Sequence, residues 1–347
     1  MRWIRRVIAA LAVTAVSGCY YLHSMRGQWD VMSRREPIAA VIGDPGTPAD
    51  LRARLETVLD LREFASRELS LPDNDSYRSY ADVGRPFVAW NVFAAPEFSI
   101  EPKQWCFPII GCVTYRGYFD QAKAERFAAK LRADGLDAYV GPVPAYSTLG
   151  YFDDPVLNTM LSWDDVFVAS LLFHELAHQR LYVKGDAAFS EAFASVVSDA
   201  GVRRWLAETG GEDLLAEFEA ANAREVEFAA LVERGRERLE ELYASGLAAG
   251  EMRAAKEREF RRMQAEYRRL VETWDGFDAY GPWFDGDLDN AKMVSVATYN
   301  ELAPGFRALL GPCDYDLPCF YERAEEIGAL PLEARHERLR ALSGAAE

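Results

Sequence analysis

Four histidines occur in this 347-residue chain, and two of them stand four residues apart in His174-Glu175-Leu176-Ala177-His178. On an α-helix, positions four apart lie one above the other on a single face. Two imidazoles so arranged can hold one Zn²⁺ at about 2.0–2.1 Å each. Glu175 lies one residue round from His174, at the edge of that face. There its carboxylate can reach a metal-bound water without ligating the metal, which is the arrangement for metal-assisted amide hydrolysis. The flanking Ala169, Leu171, Leu172, Phe173, Leu176 and Ala177 are apolar and would bury the helix. A chance match is the alternative, and average composition produces one on the order of once per hundred chains of this length.

Zinc requires a third protein ligand. The metzincin extension would put Gly at 181 and His at 184, where this chain has Leu181 and Lys184, so that class is excluded. The remaining source is an acid on the next helix. Glu191 shares a face with the small residues Ala187, Ala194, Ser195 and Ser198, which would let the two helices approach closely. Asp199 is the competitor, and Glu191 has the alternative of a surface acid favoured by the dipole of a helix start. A His-His-Glu set with an open fourth position is a catalytic arrangement, since structural sites are usually closed by cysteine. The expectation is one Zn²⁺ per chain, although other divalent ions could support activity in vitro. The metal would acidify its water, Glu175 would take the proton and pass it to the leaving amine, and a tyrosine would steady the oxyanion. Tyr299 and Tyr146 are the candidates. His23 falls in an N-terminal tether, His336 reads as an exposed helix residue, and neither has partners at ligand spacing.

The elements around the motif are legible from caps and periodicity. Ser162-Trp163-Asp164-Asp165 opens a helix reaching about Tyr182, and Asp186 begins the next, which ends at Gly210-Gly211. Thr47-Pro48 opens an earlier helix with a stripe of Leu51, Leu55, Val58, Leu59 and Leu69. Leu71–Val83 reads as loop. Phe87–Phe93, Val113–Phe119 and Ala138–Val143 read as strands, with a helix capped by Asp120 and ended by Gly135, together a small α+β lobe. Residues 212–274 carry apolar steps of four and three through Phe228, Val232, Gly235, Leu239 and Leu242, and again through Phe260, Met263, Tyr267, Leu270 and Trp274. A break at Gly246–Gly250 makes this an antiparallel helical hairpin. Its charges read as a solvated face, with a protein partner as the alternative. Asn290–Leu310 reads as helical, packing back on the core.

Composition sets outer bounds. Half the residues are apolar, and 39 Lys+Arg face 55 Asp+Glu for a net charge of −16, which argues against a general nucleic-acid binder. Arg2, Arg5 and Arg6 precede the apolar run Val7–Val16, too short to span a bilayer but suited to an export signal. The following Val16-Ser17-Gly18-Cys19 resembles a bacterial lipobox. That resemblance implies removal of residues 1–18, lipidation of Cys19, a mature charge of about −19 and anchorage facing the periplasm. Tyr20, where inner-membrane lipoproteins usually carry Asp, favours the outer membrane. In that oxidising compartment the other cysteines read as two local disulfides, Cys106 with Cys112 and Cys313 with Cys319. Four buried thiols are the alternative.

The chain also resembles a predicted bacterial aminopeptidase family of exported, zinc-dependent lipoproteins, of gluzincin type. The resemblance is carried by the lipobox, residues 144–155, His174–Gln179, Ser190-Glu191-Ala192-Phe193 and Asn290–Tyr299, and spans most of the mature chain. Tyr151 stands where the family pattern has Trp. Membership implies His174, His178 and Glu191 as ligands, Glu175 as catalytic residue and a lobe over 85–155 bordering the cleft. It also implies cleavage of N-terminal residues from peptide substrates. Holding a free α-amine calls for an anion. Asp153 and Asp154 are the nearest candidates in this segment, but nothing in the sequence brings them to zinc and they read as a solvated loop. The expected whole is an α+β, zincin-like catalytic domain over 47–347, with the 212–274 hairpin inserted and 19–46 as tether. The competing functions are an endopeptidase acting on envelope proteins and a lipid-anchored, zinc-stabilised scaffold.

Overall fold

The computed structural model describes residues 25–107, 111–296 and 302–343. Residues 1–18, read as a leader, and Cys19 and Tyr299 lie outside the described residues. The fold is mixed α+β, mostly helical with small sheets.

The largest core is built around two consecutive helices. The first, the motif helix Asp165–Arg180, starts where the Asp164 side chain accepts the Phe167 amide at 2.7 Å. Asp164 rather than Ser162 is therefore the cap, and Ser162 Oγ instead donates to the Thr159 carbonyl. The second, Ala187–Thr209, is capped by Asp186 and ends at Gly210 with φ +74, a conformation glycine adopts without a Cβ clash. These helices cross closely because their facing residues are small. Ser170 Oγ and Ser198 Oγ meet at 2.9 Å, and Ser198 Oγ donates to the Ser170 carbonyl at 2.7 Å. A Cβ on Gly201 would lie 2.8 Å from the Phe173 ring and 2.7 Å from Leu69, so only glycine fits there. Helices Ala49–Arg67, Ala303–Leu310, Leu317–Gly328 and Leu332–Ser343 complete this core with Phe64, Phe306, Phe320 and Tyr321.

The lobe over 85–148 is an antiparallel sheet in which β3 Ala89–Pro96 lies between β6 Tyr115–Tyr118 and β7 Leu136–Val143. Helix Gln121–Ala133, capped by Asp120, covers one face through Ala124, Ala128 and Leu131 against Trp90, Val92 and Ala138. A ribbon of β4 Trp105–Phe107 and β5 Gly111–Val113 carries the Cys106–Cys112 bond. The second pair, Cys313–Cys319, is also within bonding distance. A further sheet appears where the sequence read as loop and tether. There β2 Ser79–Ala81 pairs with β1 Glu36–Pro37 on one side and runs parallel to β8 Val156–Leu157 on the other. Within the stretch read as tether, residues 25–33 are helical, and Val31 and Ile38 are buried in the main core.

Helices Glu212–Ala244 and Ala249–Thr273 form the hairpin, with their own core of Phe228, Leu231, Val232, Leu239, Met263 and Tyr267. Gly235 admits the Met263 side chain, since a Cβ there would lie 2.4 Å from it. The hairpin is tied to the lobe by Lys256, whose Nζ donates to Asp137 at 2.6 Å and to the Glu97 carbonyl at 2.8 Å.

His336 is half-buried rather than exposed. Its Nε2 lies 3.0 Å from Asp186, which also accepts from Arg335 Nη1 at 2.6 Å while capping the Glu191-bearing helix. Burial opposes ionisation of Asp186, but the Phe189 amide, Arg335 and His336 outweigh it and lower its pKa. The stabilisation is therefore present above about pH 4 and lost as pH falls through the depressed value. Arg335→Met leaves a buried carboxylate without its cation and is expected to cost about 3 kcal/mol at neutral pH, read from urea unfolding. An unchanged midpoint would contradict this role.

Candidate metal centre

The motif helix sets the two imidazoles one turn apart, with ring planes at 89° and centroids 4.7 Å apart. Their Nε2 atoms are separated by 3.1 Å. Glu191, in the second turn of the neighbouring helix, brings Oε2 to 3.2 Å from His174 Nε2 and 3.6 Å from His178 Nε2. Among the described residues this is the cluster of three potential metal ligands that converges. Three donors on a tetrahedral zinc, at about 2.0–2.1 Å each, stand about 3.3–3.4 Å from one another. The observed triangle has that size. Two imidazole nitrogens at 3.1 Å cannot both donate to each other, whereas one cation between them and the carboxylate satisfies all three.

The electrostatics agree with a site built for positive charge. Burial would raise the Glu191 carboxyl, but its bonds to His174 and His178 bring it down to about 2. Burial would lower His174, yet the bond to Glu191 and the charges of Glu175, Glu191 and Asp199 raise it overall. His178 is buried, and its Nδ1 has no hydrogen-bond partner among the described residues, so packing against His174 and Tyr182 fixes the ring.

Asp199 stands apart from the triad. It faces Arg307 and Asn222, each at 3.5 Å, although its charge reaches His174. Tyr146 is also committed elsewhere: it donates to Gln28 Oε1 and meets the Phe119 ring edge-on. Asp154 is buried rather than solvated, accepting the Thr148 amide at 2.7 Å and the Thr148 hydroxyl at 2.9 Å. This carboxylate ties residues 147–154 into a closed turn. Asp153 is exposed.

Two neighbours of the site go unrecognised in the sequence. Tyr182 is 45% exposed, with its ring edge-on to His178 at 6.0 Å. Its place four residues after His178 is the available signal. Gln179, one turn beyond Glu175, accepts from Asn74 Nδ2 at 2.7 Å and donates to Ser76 Oγ at 3.2 Å. The segment read as loop thus docks on the motif helix beside Glu175.

Residues 19–339 match the model of a family described as "Putative aminopeptidase", and the chain belongs to that family. No curated protein and no solved structure matches it.

Metal binding separates Glu191 from its competitor. Glu191→Ala is expected to weaken zinc binding beyond the roughly 10–100-fold typical of losing an outer partner, while Asp199→Ala leaves it nearly intact. Competition with a chromophoric chelator reads both, and the reverse order would reassign the third ligand. Affinity should fall as pH drops, because the imidazoles must be neutral to bind. The raised pKa of His174 starts that loss at a higher pH than an ordinary histidine would.

Proposed function

We propose that this member of the aminopeptidase family is a zinc-dependent exopeptidase. In this reading it removes N-terminal residues from peptides in the periplasm, tethered through lipid on Cys19 to the outer membrane. The observation that carries the proposal is the triangle of His174, His178 and Glu191, with Glu175 on the same helix as the histidines. A zinc ion bound there supplies Lewis acidity toward the scissile carbonyl and lowers the pKa of water. The remaining steps belong to side chains. Glu175 accepts the proton of the attacking water and delivers it to the departing amine. Tyr182, with a hydroxyl bonded to no described residue, is the phenol available to the developing oxyanion on the His178 side. Tyr299 is the other phenol assigned to that role from the sequence. The zincin-like and gluzincin descriptions belong to the same proposal and rest on the ligand set.

The test compares paired peptides, one with a free and one with an acetylated N-terminus, using protein of determined metal content. Cleavage of only the free peptide is expected. Glu175→Gln should retain zinc and lose at least about 10²-fold in kcat. Cleavage of both peptides would replace the exopeptidase with an endopeptidase. Full activity in the Glu175→Gln variant would remove its assigned role, and bound zinc without any cleavage would favour the scaffold.

A further inference from the structure

The helix over residues 25–33 has two unlike faces. Its inner face is engaged along its length. A Cβ on Gly27 would lie 2.1 Å from the Phe119 ring, Gln28 accepts from the Tyr146 hydroxyl, and Val31 is buried in the main core. By helical spacing Met25, Arg26, Trp29 and Ser33 share the opposite face, and all four are exposed. Met25 is 67% exposed and Trp29 75%.

A lone exposed apolar side chain calls for no explanation, but an uncovered pair on one helix face does. Trp163 and Phe277 are exposed too, yet Trp163 stacks on Phe167 with centroids 4.8 Å apart and the Arg224 guanidinium lies 4.3 Å from the Phe277 centroid. No ring or cation among the described residues covers Trp29 in that way. Charge on this face is arranged with the same sense. Asp30, at its edge, is neutralised by Arg34 at 3.0 Å and Arg85 at 3.5 Å, whereas Arg26 has no acidic partner among the described residues. In a chain of net charge −16, this face therefore offers an indole, a thioether and a free cation.

The route of the chain identifies the occupant. Six residue steps separate Cys19 from Met25, and a fully extended chain covers at most about 20 Å in that length. Lipid on Cys19 would thus hold the start of this helix within that distance of a bilayer surface. Indoles favour the membrane–water boundary, and helices lying in that plane put apolar residues into it and basic residues at its phosphates.

We propose that the face of Met25, Arg26 and Trp29 docks on the bilayer that receives the Cys19 lipid. Trp29 and Met25 enter the headgroup boundary, and Arg26 pairs with lipid phosphate. The lipid supplies most of the affinity. The helix supplies orientation, because its inner face is locked to Phe119, Tyr146 and the core, so the protein stands on a rigid foot rather than swinging on a tether. The inference rests on the lipidation proposed above, which its test reads separately.

That test measures the fluorescence of the exported, purified protein on vesicles of phosphatidylethanolamine and phosphatidylglycerol. Their acyl chains carry bromine near the headgroup, a contact quencher of indole. Quenching is expected in the parent protein. Trp29→Phe should remove most of it, Trp163→Phe should leave it, and both variants should keep the parent melting temperature because the two side chains are exposed. No quenching in the parent, or equal quenching in the parent and Trp29→Phe, would overturn the proposal. So would concentration-dependent self-association without vesicles that Trp29→Ser abolishes, since a second copy would then cover the face. Mass spectrometry of the N-terminus reports the lipid independently. A Cys19 without acyl chains would remove the anchor, and quenching of that same protein by added vesicles would still decide the docking face.

Discussion

The centre depends on how closely two helices can cross. A carboxylate on one must come within about 3.5 Å of two imidazoles on the other to share a cation with them, which ordinary side chains at the crossing would prevent. Ser170 and Ser198 solve this by hydrogen bonding across the contact, and Gly201 by leaving room for Phe173 and Leu69. Enlarging any of these would move Glu191 away before it touched a ligand. Aromatic residues elsewhere on the same helix, Phe189 and Phe193, hold the crossing from behind through Phe306 and Phe320.

Around this contact the chain uses buried charge to fix position. Asp186 caps the helix that carries Glu191 and is gripped by Arg335, so that helix cannot slide along its axis. Arg62 does the corresponding work for the segment beside Glu175, where it saturates carbonyls that a loop would otherwise leave to water. Charges buried in this way rarely add much stability relative to apolar packing. Their value here is geometric, since a base displaced by about an ångström loses its reach to water.

Much of the site is legible in the sequence because it follows helical arithmetic. The i, i+4 histidines, the glutamate beside the first and the small-residue face around Glu191 all express one period, and the caps Asp120 and Asp186 lie at the helix starts that their chemistry marks. What escapes is tertiary. Asp154 looks like a loop acid because nothing local announces that Thr148 folds back onto it. Strands of two or three residues, such as β1, β2 and β8, carry no periodicity to detect. His336 has no neighbour at ligand spacing because its partner is 150 residues away. Tyr182 is one among 16 tyrosines, and only its ring geometry against His178 singles it out.

The most direct test is the metal content and zinc absorption-edge spectrum of the purified protein. The account predicts one zinc per chain in a shell of nitrogen and oxygen at about 2.0–2.1 Å, lost on His174→Ala. No bound zinc, or a sulfur shell at about 2.3 Å, would contradict it.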